Sequence, residues 1–91
     1  MNEYQLIDYF DMYKDESGAW TVNNLCKIGE PITITDDATE LDIINYLKSI
    51  NYLGENADDK NVRIEWLDDY FIELVENETD LPLGRLERIG A

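Results

Sequence analysis

The chain has 91 residues and a mass of 10.6 kDa, one domain's worth, and 21 Asp and Glu against 7 Lys and Arg give it a net charge of −14. Its 44% hydrophobic and 11% aromatic content excludes a disordered acidic tail, and no apolar run approaches the ~18 residues of a transmembrane helix. A field this negative excludes general attraction to nucleic acid or to an anionic membrane.

Taken in chain order, residues 3–14 read two ways. As a hairpin, Ile7 to Lys14 pairs with Ala19 to Leu25 across Asp15-Glu16-Ser17-Gly18. As a helix, Leu6, Tyr9, Phe10 and Tyr13 form one stripe capped by Asn2. Both use the same residues as core. The crowded aromatics and a glycine turn leading into Trp20-Thr21-Val22 favour the hairpin. Pro31 then fits the start of an edge strand, with Ile32 and Ile34 pointing one way.

The clearest element is a helix from about Ala38 to Ile50. Asp37 and Glu40 have capping-box spacing, Glu40 and Asp42 fall in the first turn, and Lys48 lies near the end. Ile43, Ile44, Leu47 and Ile50 make one apolar stripe. Asn51 or Gly54 suits a left-handed terminus. Val62, Ile64 and Trp66 alternate with Arg63 and Glu65, a half-buried strand. Asp68-Asp69 is a turn, and Tyr70 to Val75 is the returning strand. Asn77 to Pro82 is a loop before Leu83 to Ile89. Trp20 and Trp66 are assigned to the core. The expected fold is a single α+β domain over residues 1–91. One main α-helix packs on a largely antiparallel β-sheet, in approximate order β-β-β-α-β-β, with room for a short C-terminal strand.

Much chemistry lacks its residues. Histidine is absent, so the usual general base and metal ligand are missing. Cys26 stands alone and forms neither an internal disulfide nor a thiolate zinc site. No glycine-rich phosphate loop and no nucleophile-elbow motif occurs. Met1 to Phe10 carry Glu3 and Asp8 and no basic segment, so no signal peptide is expected, and with one cysteine this fits a cytoplasmic location. Close carboxylate pairs such as Asp8 with Asp11 are expected by chance among 21 acids. No enzyme activity, cofactor or metal is expected.

The acids come in doublets: Asp15-Glu16, Asp36-Asp37, Asp58-Asp59 and Asp68-Asp69. Turn and cap chemistry together with solubility accounts for such doublets. The sharper reading is a nucleic-acid mimic. Alternate residues on a strand lie about 6.6–6.8 Å apart on one face, close to the spacing of successive phosphates along one DNA strand. The candidate partner-binding residues are Asp58, Asp59, Asp68 and Asp69, with Glu65, Glu73 and Tyr70. Tyr9, Tyr13, Tyr46 and Tyr52 are further interface or half-buried candidates.

In size, charge and lack of catalytic groups, the chain resembles small phage or mobile-element inhibitors of DNA-directed defence, such as anti-CRISPR or anti-restriction proteins. It is also similar to immunity proteins that neutralise basic nuclease toxins. The likeness is compositional and covers no motif. It implies an acidic inhibitor whose partner is a basic nucleic-acid-binding enzyme, with no direct binding of nucleic acid. The alternative is a cytoplasmic interaction or regulatory domain, toxin-immunity proteins included, whose acidity serves only solubility. A homodimer through exposed edge strands such as Pro31 to Thr35 is open to either.

Overall fold

In the computed structural model, which describes residues 2–90, the chain opens as a strand and not as a helix. In β1 (Asn2–Phe10) strict alternation sends Tyr4 and Leu6 to one face and Ile7 and Tyr9 to the other, and all four are buried. The hairpin expectation holds in a modified form. A short ribbon of β2 (Tyr13–Lys14) and β3 (Trp20–Thr21) places Lys14 opposite Trp20. Its turn is organised by Asp15, whose Oδ1 accepts from the Ser17 hydroxyl at 2.6 Å, the Ser17 N–H at 2.9 Å and the Ala19 N–H at 3.1 Å. These bonds, the Ser17 hydroxyl foremost, hold the Asp15 carboxyl below its ordinary range.

β4 (Asn24–Ile34) returns along β1 as an outermost strand of the sheet. Tyr4 faces Ile32 and Leu6 faces Ile28, so Gly29-Glu30-Pro31 bulge opposite Gln5. The Gln5 amide donates into this bulge, to the carbonyls of Ile28 at 3.0 Å and Gly29 at 3.2 Å. Gly29 takes the left-handed φ of 65° that the bulge requires. Pro31 therefore does not open a strand; it lies inside an eleven-residue edge strand, where a missing N–H costs no ladder bond.

α1 (Glu40–Ser49) is capped two residues later than Asp37. Thr39 Oγ1 accepts from the Asp42 N–H at 3.1 Å, and Asp42 Oδ2 accepts from the Thr39 N–H at 3.0 Å, a reciprocal capping box. Ile43, Ile44 and Leu47 are buried as the stripe demands, while Ile50 is exposed. At the C-terminus Asn51 adopts φ 63°, with Tyr52 N–H donating to Leu47 O and Asn51 N–H to Lys48 O. This is a Schellman termination with Asn at the left-handed position.

β5 (Val62–Trp66), β6 (Phe71–Glu76) and β7 (Pro82–Ile89) complete a five-stranded sheet in the order β4-β1-β7-β6-β5, with antiparallel neighbours throughout. The α+β expectation is corrected: the chain is mostly β, 48% strand against 11% helix. The helix supplies three side chains to a buried cluster otherwise built from strand and loop residues, among them Leu6, Ile72, Leu74 and Leu86. Neither tryptophan belongs to that cluster. Trp20 is half-buried in the ribbon under Lys14, and Trp66 is 56% exposed. Among the described residues no helix is long and apolar enough to cross a membrane.

Candidate partner-binding surface

Ile7 and Tyr9 open the face of the sheet opposite the main cluster. Register places Lys27, Ile7, Arg85, Glu73 and Glu65 in one row across all five strands. Two carboxylates directly opposite each other, Glu65 and Glu73, repel. Each has its own hydrogen-bond donor. Arg63 Nε meets Glu65 at 2.7 Å, and its Nη2 meets Asp80 at 2.8 Å. Those two carboxylates, Glu65 first, raise the Arg63 pKa. Glu73 accepts from the Tyr9 hydroxyl at 3.0 Å. Burial, reinforced by the Glu73 charge, pushes the Tyr9 phenol well above its ordinary value. Arg85 completes the group, its guanidinium 5.1 Å from the Phe71 ring and 3.7 Å from Glu87. Its Nε is buried with no hydrogen-bond partner among the described residues.

The seven candidate residues all fall on β5, β6 or the loops at the two ends of β5, and they form three separate groups. Glu65 and Glu73 are brought together on this face, Glu65 paired with Arg63 and Glu73 hydrogen-bonded by Tyr9. Asp58 and Asp59 precede β5, and Asp68, Asp69 and Tyr70 follow it. Those two groups stand roughly 15 Å apart along the strand at its usual rise.

Within the doublets the two acids have different tasks. Asp58 Oδ1 accepts from the N–H of Lys60 at 2.9 Å and of Asn61 at 3.1 Å. Asp68 Oδ1 accepts from the N–H of Tyr70 at 2.7 Å and of Phe71 at 3.0 Å. Asp15 binds Ser17 N–H in the same way, so the first acid of three doublets closes its own turn. The second acids Glu16, Asp59 and Asp69 are exposed, with no hydrogen-bond or ion-pair partner among the described residues.

The β5–β6 tip also presents what charge reasoning missed. Trp66, Leu67 and Tyr70 are exposed by 56%, 53% and 49%, and flank Asp68-Asp69. Tyr70 lies 5.9 Å beneath the Arg88 guanidinium. The run Trp-Leu-Asp-Asp-Tyr was the available signal: large apolar residues at a strand end and in a turn have little to pack against. Of the other tyrosines, Tyr13 and Tyr46 are exposed, while Tyr9 and Tyr52 are tied inward by their hydroxyls. Among the described residues no cluster of three or more His, Cys, Asp or Glu is placed to hold a metal ion.

No family model, curated protein or solved structure matches this chain.

Proposed function

We propose that this protein is a non-enzymatic acidic inhibitor that occupies the basic nucleic-acid-binding site of a partner, as a phage or mobile-element DNA mimic does. The observation that carries this reading is the β5 edge, where the carboxylates of Asp59 and Asp69, without a partner among the described residues, lie beyond opposite ends of one strand. Asp58 and Asp68 add charge beside them, already fixed by turn bonds, so little side-chain entropy is lost on docking. The wider surface favours the same partner: 5,918 Å² carries a net charge of −14, about one charge per 420 Å². Binding of this kind exchanges phosphate for carboxylate in a basic groove and weakens as salt rises.

A second reading rests on Trp66, Leu67 and Tyr70, since tryptophan and tyrosine dominate binding energy at interfaces. In that reading the chain is an interaction or immunity-type domain that docks through the tip, and its acids serve solubility.

The test is a pull-down from nuclease-treated host lysate, eluted with a salt gradient and repeated with Asp59→Asn/Asp69→Asn and with Trp66→Ala. The inhibitor reading expects a basic nucleic-acid enzyme released at roughly 0.2–0.5 M salt, displaced by duplex DNA and lost with the double Asn variant. A neutral partner that stays bound through the gradient and is lost only with Trp66→Ala overturns it in favour of the second.

A further inference from the structure

We propose that the outer edge of β4 over Asn24–Ile28 pairs with the same segment of a second copy of this chain, joining two five-stranded sheets about a two-fold axis. β1 covers one side of β4, and the other side has no partner strand among the described residues. An uncovered strand edge is a template for another strand.

Devices that blunt such an edge are concentrated elsewhere, and Lys27 is the one this segment carries. The second half of β4 carries the bulge with Gly29 at φ 65° and Pro31. The opposite edge, β5, is five residues long, carries Arg63 and Glu65, and is flanked by Asp58, Asp59, Asp68 and Asp69. Asn24–Ile28 has no proline, no positive φ and a single charge, Lys27. Its first four side chains are exposed, with Leu25 at 52%.

Charge selects the occupant. Ser17–Gly29 is a run of thirteen residues without an acid, the longest in the sequence. Two chains of net charge −14 repel across most of their surfaces. This segment brings no acid of its own to the contact; Asp8 lies across the ladder from Cys26, and Asn24 binds Asp11. A strongly basic partner is drawn instead to the acidic loops. Antiparallel pairing is also self-complementary under a two-fold axis. Centred on Cys26, it sets Leu25 against the partner copy's Lys27 and keeps the two lysines off the axis.

This association and the proposed inhibition respond oppositely to salt. Screening weakens attraction to a basic site but relieves repulsion between like copies. In sedimentation equilibrium of the full chain, the expected result is a species of twice 10.6 kDa whose dissociation constant falls at least about tenfold between about 0.05 and 0.5 M salt. Leu25→Glu/Cys26→Glu, checked for fold by circular dichroism, is expected to weaken it at least about tenfold. Asn45→Glu/Ser49→Glu adds the same charge on exposed positions of α1 and is expected to weaken it far less. As a readout needing no variant, backbone amides within Asn24–Ile28 are expected to exchange more slowly as wild-type concentration rises. A monomer at every salt and concentration overturns the proposal. So does a dimer that the edge variant leaves intact, one that both variants weaken equally, or one without added protection at these amides.

Discussion

Tyr52 lies over Gly84. The Schellman turn ending α1 directs the Tyr52 ring onto β7, where its hydroxyl sits 2.9 Å from Asp8 Oδ1 and 2.8 Å from Leu83 O. A methyl group at Gly84 would run into that hydroxyl and approach the Ile7 carbonyl to 2.7 Å. The glycine is needed for this close approach, since its φ is not among the positive ones. Gly84→Ala is expected to cost about 1–3 kcal/mol, the range of an overpacked core. Tyr52→Phe should restore only part of it, because the Ile7 backbone remains in the way. Urea denaturation of the two single variants and the double variant checks this, and full restoration would contradict the Ile7 contact.

One buried phenol, Tyr9, and one part-buried phenol, Tyr52, are expected to set an alkaline limit. Burial is the main cause that raises both Tyr9 and Tyr52 above the unfolded value of 10.0, with Glu73 adding to the first and Asp8 to the second. A raised folded pKa means that their contribution is complete below about pH 10 and is lost as pH climbs through the folded values. Melting temperature should therefore drop above about pH 10. The drop should be shallower in Tyr9→Phe/Tyr52→Phe, at the expense of about 1–3 kcal/mol per lost bond at neutral pH. Parallel curves for both proteins would show that other groups govern the alkaline side.

The helix start depends on one hydroxyl. Thr39→Ala removes the acceptor of the Asp42 N–H and is expected to cost about 1 kcal/mol. Asp37→Ala, outside the cap, should cost far less. Chemical denaturation ranks the two, and a larger loss at Asp37 would return the cap to the earlier residue.

Charge and turn geometry separate at the tip. Asp68→Asn keeps a side-chain oxygen for the N–H groups of Tyr70 and Phe71, whereas Asp68→Ala does not. Stability should fall by about 1 kcal/mol for Ala and little for Asn. Asp69→Asn should leave stability nearly unchanged, because no bond among the described residues depends on that side chain. Equal losses at Asp68→Asn and Asp68→Ala would mean that the charge itself holds the turn.

Local signals read well in this chain. The Ile43-Ile44-Leu47 stripe, the Val62-Ile64 alternation, the Asp15–Gly18 turn and the left-handed Asn51 each rest on short-range geometry that residue type encodes. Long-range placement did not read as well. Alternation put Trp66 on the face of Val62 and Ile64, but periodicity says nothing of how far cover extends along a strand. Gly29 and Pro31 look like strand breakers, yet a side chain distant in sequence, Gln5, fills the bulge they make. Missing that continuity shortened β4 and tipped the expected balance towards helix. Asp37–Glu40 and Thr39–Asp42 share one spacing, and the structure uses the second. For the binding surface, the sequence located the acids at turns, but it did not separate turn-closing Asp58 and Asp68 from the unpaired Asp59 and Asp69.

The order of the strands makes one of them the link between the two halves of the sheet. β7 lies between β1 and β6, pairing Glu3 with Ile89 on one side and Phe71 with Glu87 on the other. Without it the sheet falls into two pieces, β4 with β1 and β6 with β5. A chain shortened before Pro82 should therefore show no cooperative melting. Both partners of β7 precede it in the chain, so its pairing is what turns two separate ribbons into one sheet.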